Sequence, residues 1–313
     1  MADPGFDAER QRVFELHHDG LHEAGLALAE EVAERHPGRL AETTFWRACF
    51  LSLLGRTDDA FAAFFRALDR GAWWQRGWLE MDPDLEALRS LPRIGDVLAG
   101  SDANLEEART RFPDRPEVRL LLPAGRPRAL LLVMHMLGET AAETEPRWRG
   151  ATDVGAAVAV VGSSQSTSDG VSCWELDDLV VRDLSLARDE ARRAGVGDEA
   201  PVVLAGASQG GRWAIQLAID DRLTAAGFLV AATGVPRPGQ LEPHLPSAAG
   251  RGIRGWILAG ERDHATPDAE RLGRELAAAG LEVRVEPVAG LGHDYPEDFS
   301  RRLAGALDFV LGG

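Results

Sequence analysis

Hydrophobic and polar positions along this chain fall into two rhythms. Up to about residue 110 the apolar residues recur at three- and four-residue spacing, the period of a helix with one buried side. Leu21, Ala24, Leu28 and Val32 form one such stripe, which stops at His36-Pro37-Gly38. Phe45, Trp46, Ala48, Cys49, Leu51 and Leu54 form a second, ending near Gly55. A third holds Ala60, Phe61, Phe64, Phe65 and Leu68, with Thr57 or Asp58 as its cap and Gly71 as its stop. Past a polar, Arg-rich link near 106–116, short apolar runs take over, at 118–123, 129–134, 156–161, 202–206, 226–232, 253–259 and 282–288. They alternate with helical stretches near 176–194, 211–220, 267–279 and 297–311. Such alternation predicts an α/β domain with a mostly parallel sheet, helices on both faces and working loops at the strands' carboxyl ends. The expected division is a small all-α domain over residues 1–110 and an α/β domain over 115–313.

One junction between strand and helix carries chemistry. Val202–Ala205 reads as a buried strand and the segment from Gly211 to Asp220 as a helix packed on it, and between them stands Gly206-Ala207-Ser208-Gln209-Gly210. This Gly-x-Ser-x-Gly pattern is that of a nucleophile elbow, where the turn is too tight for a Cβ two residues either side of a strained, outward-pointing serine. Read without chemistry, the same residues are a glycine-rich turn whose serine caps a helix.

An elbow serine needs a base, an acid to orient the base, and donors for the oxyanion. Asp263 follows the run 253–259 and is placed to accept from an imidazole N–H; as a plain turn residue it would cap the next helix, with Glu261 and Asp268 as substitutes. His293, in Leu291-Gly292-His293-Asp294 after the run 282–288, is the expected base, because an imidazole titrates near neutral pH. His135, His244 and His264 are its rivals; His264 is so near Asp263 that the two are expected to diverge around a turn. The backbone N–H of Gln209, the residue after the nucleophile, is one oxyanion donor. The other is expected in His135-Met136-Leu137-Gly138 after the run 129–134, with Leu137 preferred and Met136 left open.

From about residue 117 onward the chain resembles the α/β-hydrolases of the phospholipase/carboxylesterase and dienelactone-hydrolase branch. The resemblance rests on Gly206-x-Ser208-x-Gly210-Gly211, Gly260-x-x-Asp263-x-x-Thr266-Pro267, Gly292-His293, and Ser164-Gln165-Ser166 with Gly170, Trp174 and Asp177-Asp178. The order Ser, Asp, His is also that family's. Where such hydrolases usually show His-Gly-x-Gly, Met136 replaces the glycine. The resemblance implies a serine hydrolase that cleaves a carboxylic ester through an acyl-enzyme, with peptide, thioester or lactone substrates as alternatives. The short Pro- and Gly-rich stretch 235–252 and the loop 139–150 are the expected cleft covers, pointing to short or medium acyl groups on soluble esters, with Met136, Trp148 and Trp174 expected at the substrate.

In the N-terminal part, Trp46…Ala48…Leu54-Gly55-Arg56-Thr57-Asp58-Asp59-Ala60…Phe64…Ala67-Leu68 resembles a tetratricopeptide repeat, with Gly20…Ala24…Pro37 as a looser copy. Asp82-Pro83-Asp84-Leu85…Leu88-Arg89…Pro92-Arg93 looks like the segment that closes such repeats. This implies either a groove for a peptide or protein partner or a helical cap on the next domain; a partner-binding protein with an inert hydrolase domain is the reading from another class. Trp73, Trp74 and Trp78 read as packing or as a cleft wall.

Composition narrows the rest. A formal net charge of −16 argues against a nucleic-acid partner. The chain has no lysine, which excludes a Walker-A loop, a pyridoxal Schiff base and a protein-kinase site. Cys49 and Cys173 lack metal-ligand spacing, and no Gly-x-Gly-x-x-Gly follows a first strand, so neither metal nor cofactor is expected. No apolar run reaches membrane-spanning length and residues 1–20 are polar, so no membrane association and cytoplasmic residence are the expectations. Oligomeric state is left open.

Overall fold

The helical period of the first hundred residues becomes α1 (Pro4–His18), α2 (His22–Arg35), α3 (Leu40–Leu53), α4 (Thr57–Leu68), α5 (Arg76–Met81), α6 (Glu86–Arg89) and α7 (Ile94–Arg109). The computed structural model describes residues 4–313. Its chain divides into two units, one of residues up to Phe112 with Ser166–Val171, the other of Pro113–Gln165 with Ser172–Gly313. In the first, Leu26, Ala29 and Val32 of α2, Trp46, Ala48, Cys49, Phe50 and Leu51 of α3 and Ala60, Phe61 and Phe64 of α4 share one core. Thr57 is the first residue of α4 and not its cap; Asp58 and Asp59 in that first turn offset the exposed N–H groups instead. Trp73 and Trp74 are buried packing, with the Trp74 indole donating to the Ala41 carbonyl at 3.0 Å. The inserted segment supplies Asp169, whose two carboxylate oxygens accept from the Ala41 and Glu42 N–H groups at 3.0 Å each.

The second unit is built from β1 (Glu117–Leu121), β2 (Ala129–Met134), α8 (Ala141–Trp148), β3 (Ala156–Gly162), α9 (Asp177–Arg193), β4 (Val202–Ala207), α10 (Ser208–Asp220), β5 (Gly227–Thr233), α11 (Leu245–Gly250), β6 (Arg254–Gly260), α12 (Thr266–Ala278), β7 (Glu282–Val288) and α13 (Phe299–Leu311). One sheet holds all the strands in the order β1-β3-β2-β4-β5-β6-β7, parallel except for β1 against β3. β2, β3 and β5 are buried at every position, as befits strands covered on both faces. Residues of α9, α10, α11 and α12 fill the core on one face, and Trp148 of α8 with Phe299, Leu303 and Leu307 of α13 fill the other.

β2 lies between β3 and β4, so the direction of winding reverses there, and the crevice past the carboxyl ends of β2 and β4 is where such sheets bind ligands. Met134 pairs with Gly206 at that edge, which brings the loop after β2 beside the serine turn. Two stretches read as loops contain helices: 139–150 holds α8, with Thr140 and Glu143 forming a capping box, and 235–252 holds α11. Among the described residues no helix is long and apolar enough to cross a membrane.

Candidate active site

Ser208 is the hinge between β4 and α10. Its φ is +50°, a left-handed backbone that is rare outside glycine and holds strain at the turn. What maintains it is crowding. A Cβ on Gly206 would lie 2.5 Å from the Met134 carbonyl oxygen, and one on Gly210 would lie 2.5 and 2.7 Å from the carbonyl oxygens of Met134 and His135. The elbow therefore rests directly on the end of β2, and only glycines allow the approach. The Ser208 carbonyl accepts from Gly234 N–H at 3.1 Å, tying the turn to the end of β5.

The structure brings Ser208, His293 and Asp263 together. His293 Nε2 is 2.8 Å from Ser208 Oγ, and His293 Nδ1 is 2.9 Å from Asp263 Oδ2. Gly260, the last residue of β6, pairs with Val288, the last of β7, so the two loops that follow start side by side. Burial pushes the Asp263 carboxyl up, but hydrogen bonds from His293 and from Ala265 N–H, with the nearby imidazoles, outweigh it and hold the group below its usual range. Asp263 is thus an ionised, buried acceptor. That arrangement places the His293 proton on Nδ1 and leaves Nε2 free to accept from the serine hydroxyl.

The expected oxyanion donors are also at this edge. Gln209 N–H lies in the first turn of α10, where no intrahelical acceptor exists. In the loop after β2, Met136 N–H is turned to the Glu139 carboxylate at 3.4 Å, whereas among the described residues no hydrogen bond engages the Leu137 amide. Leu137 is 41% exposed. His135, a rival base from the sequence, is instead a buried framework residue. Burial holds its pKa at about 4, so the ring is neutral. It donates from Nδ1 to the Met136 carbonyl at 2.7 Å and accepts at Nε2 from Ser163 N–H and Ser172 hydroxyl at 3.1 Å each. It sets the shape of the donor loop. His244, the other distant rival, is an exposed residue of the 235–252 stretch.

Two of the expected substrate contacts are corrected. Trp148 is fully buried, its indole N–H donating to the Tyr295 hydroxyl at 3.1 Å in an aromatic group with Phe299. Trp174 is fully buried too, its indole N–H donating to the His135 carbonyl at 3.0 Å. Apolar rings of this size are worth more in the core than at a wet cleft, and both serve packing here. Met136 is half-buried within the loop after β2. A further correction concerns His264: it does not diverge from Asp263 but has Nδ1 3.4 Å from Asp263 Oδ1.

Glu175 was missed. Its carboxylate accepts from Gln209 Nε2 at 2.5 Å, while Gln209 Oε1 accepts from Trp174 N–H at 2.7 Å. Burial raises the Glu175 pKa to about 7 against the pull of Arg212 and Arg237 and the bond from Gln209. The side chain of Gln209, next to Ser208, is thereby clamped, which steadies the backbone N–H it carries. The only trace in the sequence is the adjacency of Glu175 to Trp174.

A mostly parallel sheet, a strained serine between β4 and α10, and an aspartate and a histidine on the loops after β6 and β7 together make the α/β-hydrolase fold, and this unit has it. Solved structures agree. An uncharacterized protein from Bacillus cereus ATCC 10987 is similar over 97% of this chain and 97% of its own, with a TM-score of 0.53 and 20% identity. A carboxylesterase from Mesorhizobium loti is similar over 61% of this chain and 94% of its own, with a TM-score of 0.50 and 19% identity. At such identities the likeness is one of fold. No protein-family model and no curated protein matches the chain.

Proposed function

We propose that this chain is a serine hydrolase that cleaves carboxylic esters with short or medium acyl groups. The observation that carries the reading is the unbroken relay Ser208 Oγ–His293 Nε2 at 2.8 Å and His293 Nδ1–Asp263 Oδ2 at 2.9 Å, on a serine of left-handed backbone. His293 takes the hydroxyl proton as Ser208 attacks the carbonyl carbon. Asp263 steadies the imidazolium, and the Gln209 and Leu137 N–H groups hold the oxyanion. His293 then protonates the departing alcohol. Water enters, gives its proton to His293, and releases the acid from the acyl-enzyme.

The acyl preference is argued from the cover. His293 keeps 31% of its side chain exposed, and the 235–252 stretch contributes only a 3₁₀ turn at Glu242–His244 and the six residues of α11 as regular structure. An open site of this kind suits compact, soluble esters more than a long alkyl chain. The Mesorhizobium loti carboxylesterase is a precedent for the reaction on this fold.

The test is a fluorophosphonate probe followed by peptide mapping, with turnover of short p-nitrophenyl esters measured in parallel. The label is expected on Ser208, and Ser208→Ala is expected to lose both label and turnover. An unlabelled Ser208 in folded protein that turns over none of the esters would mark an inert pocket and end the enzyme reading. Thioester, lactone and peptide analogues in the same panel separate the alternatives, and turnover that climbs steadily with acyl length would refute the short-acyl preference.

A further inference from the structure

Asp263 faces two histidines. His293 Nδ1 stands 2.9 Å from Asp263 Oδ2, and His264 Nδ1 stands 3.4 Å from Asp263 Oδ1, so each carboxylate oxygen meets an imidazole nitrogen. The two rings are 5.2 Å apart with 33° between their planes. One ligand atom from each of Asp263, His264 and His293 lies within 4.8 Å of the other two. Acyl transfer gives His264 nothing to do, yet the structure holds it against the buried acid with its side chain 85% exposed.

Two imidazoles and a carboxylate are a donor set that suits zinc. With bonds of 2.0–2.1 Å at tetrahedral angles, neighbouring donor atoms around zinc stand about 3.3 Å apart. His293 Nδ1 at 2.9 Å from Oδ2 and His264 Nδ1 at 3.4 Å from Oδ1, each on its own carboxylate oxygen, are near that spacing, and with no two of the three ligand atoms more than 4.8 Å apart a small side-chain shift gathers them around one ion. Asp263 is also fixed from behind, because Oδ1 accepts from Ala265 N–H at 2.9 Å; support of this kind orients a metal-binding carboxylate. The exposed His264 leaves the site open to solvent, which gives an ion its way in.

We propose that Asp263, His264 and His293 form a binding site for zinc or a zinc-like divalent cation, and that filling it switches off Ser208. The switching rests on the serine-hydrolase reading; the binding does not. Its logic is a matter of tautomers. A neutral imidazole carries one proton, and a cation on Nδ1 of His293 forces that proton to Nε2. Nε2 then donates to Ser208 Oγ instead of accepting from it, and the serine has no base. A triad histidine held in the wrong tautomer costs about 10⁴ in turnover. The cation also claims the carboxylate that kept the proton on Nδ1.

The full chain, stripped with a chelator, is titrated with zinc chloride while short p-nitrophenyl ester turnover is followed, and again by calorimetry. Wild type is expected to bind zinc and to lose turnover by about a hundredfold or more, with recovery on adding chelator. His264→Ala is expected to keep its metal-free turnover within a few-fold and to need about tenfold or more zinc for the same inhibition. Ser208→Ala, which is silent in the ester assay, is expected to bind zinc by calorimetry as wild type does, so a chain without esterase activity still reports on the site. Comparing wild type with His264→Ala isolates this site from Cys49, Asp82 and Asp84, whose donor atoms also cluster within 4.8 Å. Equal inhibition midpoints and equal binding heats in wild type and His264→Ala would overturn the proposal.

Discussion

At the scale of single residues, the site is governed by close approach and by burial. Gly210 has two carbonyl oxygens within 2.7 Å of where its Cβ would be, both backbone atoms of the neighbouring strand end that cannot swing aside. Gly210→Ala is expected to cost about 1–3 kcal/mol through overpacking. By shifting the elbow it should lower ester turnover even in the fraction that folds; thermal melts and turnover per folded molecule check both. Glu175 makes a pH prediction. Its folded pKa of about 7 lies above the ordinary 4.5, so between those values the folded chain keeps a proton that the unfolded chain has lost. Stability from this group is full below about pH 4.5 and falls as pH rises toward 7, by roughly 3 kcal/mol at most. Glu175→Gln, neutral throughout, should flatten that fall in urea midpoints measured across the window; an unchanged slope would count against the assignment. Ser208, Asp263 and His293 could be read from the sequence because each has a flank that chemistry demands: glycines around a nucleophile, a strand end before an acid, a loop before a base. Glu175 and His264 could not, since nothing in a sequence says which carboxylate is desolvated or which histidine turns back on its neighbour.

At the scale of elements, periodicity succeeded where burial was uniform. The run 129–134 is β2 to the residue and 282–288 is β7, although β7 alternates in exposure and carries Pro287, as an edge strand can. α8 escaped because it is short and carries Pro146 inside; only Thr140 with Glu143, three residues on, marked its start. Its importance lies in what it anchors. Trp148 and Arg147 of α8 both engage Tyr295, the first by the indole–hydroxyl bond at 3.1 Å and the second over the ring at 4.8 Å. Tyr295 is two residues beyond His293, so this helix holds the loop that carries that histidine. Tyr295→Phe strands a buried indole N–H and is expected to cost about 1–3 kcal/mol. Trp148→Ala opens a cavity and is expected to cost about 3–5 kcal/mol. Tyr295→Phe should lower kcat more than it raises KM, because the ring steadies the base and is itself buried. A variant with KM raised and kcat intact would show that the loop is held by other means.

At the scale of the whole molecule, composition marked a change of character near residue 110, and the chain's contacts change at Phe112–Pro113. No pattern ties Ser166–Val171 to the helices, and Ser166 and Gly170 read as part of the hydrolase motifs after β3, yet the stretch belongs with the helical unit. Helix α3 has no side-chain cap of its own, and Asp169, distant in sequence, takes that place by accepting from the second and third N–H groups of the helix. A carboxylate there satisfies two open donors and meets the positive end of the helix dipole. Removing it by Asp169→Ala is expected to destabilise the helical unit by about 1–2 kcal/mol. Asp169→Asn should recover part of this, since a neutral side-chain oxygen accepts a bond but does not answer the dipole. Four of the chain's eight tryptophans, Trp46, Trp73, Trp74 and Trp78, lie in this unit, so their share of the fluorescence change in a urea titration follows it. A fluorescence midpoint that stays put in Asp169→Ala would mean that the start of α3 is secured by its packing alone, with Ser166–Val171 a passive passenger on the helices.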